Sequence, residues 1–122
     1  MSMNDDSVTS TITAADGQVR LALSGRKGAG FILTGTWVAT VACQISIDGG
    51  TTWVTVDNYR FSDEVRAASV TTNGSFAIAD LRGASHVRVT ATAYTSGTIA
   101  VTLRVTDADA VGVGATVTAD VA

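Results

Sequence analysis

The chain has 122 residues, 46% of them hydrophobic and 16% charged, with 12 glycines and no proline, a composition that excludes a largely disordered chain and fits one globular domain. Eight basic against eleven acidic side chains give a net charge of -3, and the basic residues are scattered rather than clustered, which argues against a nucleic-acid-binding surface. No apolar run approaches the roughly 20 residues of a membrane-spanning helix, and the one cysteine, Cys43, has no partner for an internal disulfide.

In chain order, the stretch from Met1 to Asp6 is polar and acidic where a secretion signal would be basic and then apolar. The expectation is a chain made in a cytoplasm and kept or assembled there, with residues 1–17 a polar segment ahead of the folded domain. From residue 18 onward valine and threonine dominate, and their branching at Cβ suits a pleated, half-buried surface. Val19, Leu21 and Leu23 alternate with Arg20, Ala22 and Ser24, the period-2 signature of a strand with one buried face. Gly25 to Gly30 is glycine-rich and basic but lacks the terminal Gly-Lys-Ser/Thr of a phosphate loop, so it reads as a flexible hairpin loop. Phe31 and Leu33 resume the alternation. It continues after Gly35 through Trp37, Ala39, Val41, Cys43, Ile45 and Ile47.

Val54 and Val56 follow a turn at Asp48-Gly49-Gly50-Thr51, and Phe76 and Ile78 follow another at Asn73-Gly74. Between them, Asp57 to Ser69 breaks the pattern and reads as a long connection with room for one helical turn. Val87, Val89, Ala91 and Ala93 face inward, and Ser96-Gly97 predicts a hairpin into Ile99, Val101, Leu103 and Val105. These runs give about seven or eight short strands. The predicted fold is all-β: a single-domain antiparallel β-sandwich, jelly-roll-like, over residues 18–106. Residues 107–122 are small and apolar with spaced glycines, and read as a late strand or an arm that docks on a neighbouring subunit.

The sharpest local signal is Ser46-Ile47-Asp48-Gly49-Gly50-Thr51-Thr52-Trp53, which resembles the Asp box, Ser-x-Asp-x-Gly-x-Thr-Trp. The resemblance implies a structural turn built by Ser46, Asp48, Gly50, Thr52 and Trp53: the carboxylate caps backbone amides, glycine takes a positive φ, and the indole lies under the turn. Asp boxes recur once per blade in sialidase-like propellers, but a propeller needs several blades of about 40 to 50 residues, and this chain holds one copy. Other candidates for chemistry have plainer readings. His86 stands without a second histidine or cysteine at metal-ligand spacing. Cys43 lies on an apolar face with nothing near in sequence to lower its pKa, and the adjacent Asp63 and Glu64 fall in a solvated loop. The expectation is no enzyme, no cofactor and no metal.

Trp37, Trp53, Tyr59 and Tyr94 could together offer an aromatic platform to sugars, as in a carbohydrate-binding module, although the alternation places Trp37 in the core and the turn motif does the same for Trp53. The alternative is a structural subunit whose edges and apolar tail are covered by copies of itself or by a lattice. The succession Leu23-Ser24-Gly25, Phe31 to Trp37, Ser46 to Trp53, Asn73 to Phe76, Leu81 to Val89 and Ala93 to Ile99 resembles small β-sandwich virion proteins of tailed bacteriophages. That resemblance implies a capsid decoration (cement), head-spike-base or tail-baseplate subunit, often trimeric, located in the virion after synthesis in the host cytoplasm. Its partners would be itself, as a homotrimer, and the major capsid protein or other virion proteins, with no nucleic acid and no membrane. It carries no catalytic residues to transfer.

Overall fold

Runs of Val, Ile and Thr with alternating polarity satisfy their backbone groups by pairing with neighbouring strands. In the computed structural model, which describes residues 6–78, 81 and 83–106, they form ten strands: β1 (Asp6–Ile12), β2 (Gln18–Ala22), β3 (Gly28–Thr34), β4 (Trp37–Ser46), β5 (Val54–Val56), β6 (Asn58–Arg60), β7 (Arg66–Ala67), β8 (Gly74–Ile78), β9 (His86–Gly97) and β10 (Ile99–Thr106). They build two antiparallel sheets, one in the order β1-β10-β3-β8-β6-β7 and the other β2-β9-β4-β5. Successive strands therefore alternate between the sheets over β1 to β4, and the first strand pairs with the last, the second with the ninth. This is the jelly-roll arrangement, with the short β6 and β7 extending the larger sheet beyond β8.

The alternating residues fill the space between the sheets. Leu33, Val41, Cys43, Ile78, Val87, Val89, Val101 and Leu103 are fully buried, and Phe31 stacks on Phe76 across β3 and β8 with ring centroids 5.0 Å apart. Each such side chain contributes about 1.5–3 kcal/mol by leaving water. Their summed contribution is what offsets the entropy of ordering the chain.

Four expectations are corrected by this architecture. First, residues 6–12, expected ahead of the domain, are β1, an edge strand registered on β10 from Asp6↔Val105 to Ile12↔Ile99; Ile12 is buried, while Ser7, Thr9, Ser10 and Thr11 are exposed. Second, neither Gly25–Gly30 nor Ser96-Gly97 closes a hairpin. Each lies where the chain passes from one sheet to the other, β2 to β3 and β9 to β10, and Gly28 to Gly30 already belong to β3. Third, the segment from Asp57 to Ser69 is more than a connection: it contains β6 and β7, joined by a single turn in which the Glu64 amide donates to the Arg60 carbonyl at 2.7 Å. Fourth, β9 carries an extra residue twice against β4, at Thr95 and Thr92, where the register shifts. Such bulges reset the phase of alternation. Ala93 is exposed as a result, whereas Trp37 and Ala39, half-buried, pack against the core and Val38 on the opposite face is 59% exposed, as the alternation expects. Ile47, beyond the end of β4 in the turn, is 74% exposed. The arm 107–122 and residues 1–5 lie outside the described residues.

At one end of the sandwich the β3–β4 and β9–β10 connections run side by side, with the Thr98 amide donating to the Thr36 carbonyl at 3.1 Å. Gly35 and Gly97 both sit there at positive φ, 102° and 97°. A Cβ on Gly35 would stand 2.5 Å from the Thr98 oxygen, and one on Gly97 would overlap the Thr36 oxygen. Only glycine lets the two crossings approach so closely.

Candidate functional site

The turn after β4 is a hydrogen-bonded cage around two side chains. Asp48 Oδ1 accepts from the Thr52 amide at 2.8 Å, the Thr51 amide at 3.1 Å and the Ser46 hydroxyl at 2.7 Å. Ser46 Oγ in turn accepts from the Gly50 amide at 2.9 Å and the Asp48 amide at 3.3 Å. These bonds favour the charged carboxylate, the Thr52 amide most, and hold Asp48 well below the usual carboxylate range. Gly49 and Gly50 take φ of 81° and 101°. Ser85 anchors the cage to the start of β9: its hydroxyl accepts from the Gly49 amide at 3.1 Å and donates to the Ser46 carbonyl at 3.1 Å. Asp48 is thus fully engaged in holding a loop together.

The cage delivers Trp53 to the outer face of the four-stranded sheet, not to the core. The indole Nε1–H donates to the Gly50 carbonyl at 3.1 Å, and the half-buried ring lies 4.4 Å from the Arg88 guanidinium carbon and 5.6 Å from that of Arg20. Arg20, Arg88, Gln44 and Thr55 form one row across β2, β9, β4 and β5, each directly opposite the next. Arg88 donates through Nε and Nη2 to Gln44 Oε1 at 2.8 and 2.6 Å, and through Nη1 to Gln18 Oε1 at 3.1 Å. Gln44 Nε2 donates to Thr55 Oγ1 at 3.1 Å. Partial burial, then the charge of Arg20, pull Arg88 below the usual arginine value, with Asp16 acting the other way. The motif was legible in sequence; the arginine pair was not, since nothing local says that positions 20 and 88 are cross-strand neighbours.

The six-stranded sheet carries a second surface feature. Gly30, Ile32, Ser75, Ala77 and Thr102 floor a groove of about 390 Å³ on its outer face, with Phe61 at its side. Phe61 is 67% exposed and Ile32 45%, so two large apolar side chains meet solvent together, an arrangement typical of contact surfaces.

The remaining sequence candidates are dispersed. Trp37 Nε1 donates to Asn73 Oδ1 at 2.7 Å, Tyr94 donates to the Gly97 carbonyl at 2.5 Å, and Tyr59 lies beside Arg66, which also pairs with Asp57 at 2.7 Å. The four aromatics therefore form no common platform. Cys43 is buried between the sheets, and burial pushes its thiol pKa far up. His86 is half-buried with Nδ1 3.0 Å from Ser85 Oγ. Asp63 accepts from the Val65 amide at 3.1 Å and stands 3.6 Å from Arg60, while Glu64 is exposed in a turn at φ 59°. Among the described residues no three His, Cys, Asp or Glu side chains are grouped to hold a metal.

No family model matches the chain, and no curated protein matches it in sequence. Solved structures do share its fold. The SPBc2 prophage-derived protein YomS superposes with a TM-score of 0.66 at 12% identity, over 86% of this chain and 96% of that one. The PBSX exported protein XepA superposes with a TM-score of 0.67 at 14% identity, over 86% of this chain but 39% of that one, so this chain spans about two-fifths of XepA. The two-sheet fold described above is one that phage-derived proteins also adopt.

Proposed function

We propose that the chain is a non-enzymatic structural subunit of a phage particle: a capsid decoration or head-spike-base protein, homotrimeric, acting through many weak contacts repeated over a lattice. The observation that carries this reading is the fold shared with YomS, whose length the match covers at 96%, together with the runs between Leu23 and Ile99 that resemble small virion proteins. The physical logic is multivalency. A contact too weak to hold one subunit becomes durable when several linked copies engage equivalent points, with avidity gains of about 10² to 10⁴. The groove beside Phe61 and Ile32 is of the size and polarity for such a contact, which supports a reading in which the six-stranded sheet faces the lattice. The same surface would serve at a tail baseplate, which the test below distinguishes from a head location.

The test adds purified chain to particles that lack it and follows binding by sedimentation and electron microscopy. The proposal expects saturable binding at a fixed copy number on the head, loss of binding on Phe61→Ser, and a trimer by light scattering. A monomer at micromolar concentration would refute the trimer. Absence of particle binding would refute the function, and binding confined to the tail would refute the head assignment.

A further inference from the structure

We propose that Arg20, Arg88 and Trp53 form a binding site for carboxylate-bearing sugars on the outer face of the four-stranded sheet. Two arginines stand in an unfavourable placement on this face. Arg20 and Arg88 are directly opposite on β2 and β9, where like charges destabilise a sheet; neither makes an ion pair among the described residues, and Asp16 offsets the Arg88 charge only in part. Arg88 is held by the side-chain oxygens of Gln44 and Gln18, amides that fix its orientation while leaving its charge intact. Arg20 is exposed and has no hydrogen-bond partner among the described residues. Two oriented guanidiniums thus share one indole face region in a chain whose net charge is -3.

That combination is selective. A guanidinium fork matches a planar carboxylate with two parallel hydrogen bonds, and Arg20 has its fork free among the described residues to supply them. The half-buried indole stacks with both guanidinium groups and holds them together on this face. Beyond Arg88 the row continues into Gln44 and Thr55, amide and hydroxyl groups suited to sugar hydroxyls. Four strands at about 4.8 Å spacing make the row about 14 Å long, longer than one monosaccharide needs. An acidic peptide is the poorer fit. Peptides are captured by adding a strand to an open sheet edge or by seating apolar anchors; the edges of this sheet are β2 and β5, whereas Arg88 and Gln44 lie on its central strands, and the exposed Phe61 and Ile32 lie with the other sheet. The site is independent of the particle role and would stand if that role failed.

The test titrates the full chain with oligogalacturonate, with a neutral maltooligosaccharide and with polyglutamate of matched charge, reading the two indole N–H resonances by NMR. Trp53, bonded to Gly50, reports the site, and Trp37, bonded to Asn73, serves as the internal control. The expected result is a saturating shift of the Trp53 resonance with oligogalacturonate alone, a still Trp37, and affinity weakened at least about tenfold by Arg20→Gln. A stationary Trp53, or a shift that Arg20→Gln leaves unchanged, overturns the site. Equal binding of polyglutamate overturns the assignment to sugars.

Discussion

Replacing Gly97 by alanine probes the corner where the two crossings meet, and its effect can be built from two separable contributions. The residue sits at φ 97°, so any side chain carries the left-handed penalty of about 1–2 kcal/mol. In addition the new Cβ would overlap the Thr36 carbonyl oxygen and stand 2.5 Å from the Trp37 Cα. Both are backbone atoms that cannot rotate away, and overpacking of this kind costs about 1–3 kcal/mol. The sum, about 2–5 kcal/mol, is a large part of the 5–15 kcal/mol that holds an ordinary domain together. Gly49→Ala supplies the control: its φ of 81° carries the same backbone penalty, but nothing lies within 4 Å of its Cβ. Urea unfolding followed by far-ultraviolet circular dichroism should show Gly97→Ala less stable than Gly49→Ala by about 1–3 kcal/mol at unchanged m-value. Equal stabilities, within about 0.5 kcal/mol, would refute the close approach of the two crossings.

Three further outcomes follow from the same geometry. Phe76→Ala removes one ring of the Phe31 stack from the middle of the sandwich and should lower unfolding free energy by about 3–5 kcal/mol, measured in the same urea series. Cys43, buried with its thiol pKa raised, should resist a thiol-specific chromogenic reagent until the chain unfolds; rapid labelling of native protein at pH 8 would contradict its placement. The lowered pKa of Asp48 means that its contribution is present above the unfolded value near 4 and lost as pH falls through the folded value. The stability gap between the parent chain and Asp48→Asn, present at pH 6, should therefore narrow below about pH 4. A gap that stays constant down to pH 2 would contradict the cage.

The long central strands were readable because their register is enforced on one face. Val87, Val89 and Ala91, and Ile99 through Val105, alternate as the burial pattern does. The edge was not: β1 reads Asp-Ser-Val-Thr-Ser-Thr-Ile, mostly polar because one side of an edge strand meets solvent. Ser96-Gly97 has the composition of a hairpin turn, and whether the chain turns back in its own sheet or crosses to the other depends on distant partners, here β1 and β3 for β10. The bulges at Thr92 and Thr95 are invisible to a period-2 reading because their effect is to break the period. The same limit governs the site. Ser46, Asp48 and Gly50 form a local device whose bonds span few residues, so their spacing announces it, whereas Trp53 meets Arg20 and Arg88 only because β2 and β9 pair.

The particle role is tested most directly by quantitative mass spectrometry of purified phage particles carrying the gene for this chain. The account predicts the chain in many copies per particle, at a constant ratio to the major capsid protein that survives repeated banding. Particles banded to the same purity with the chain absent, or present at trace and variable levels, would contradict it.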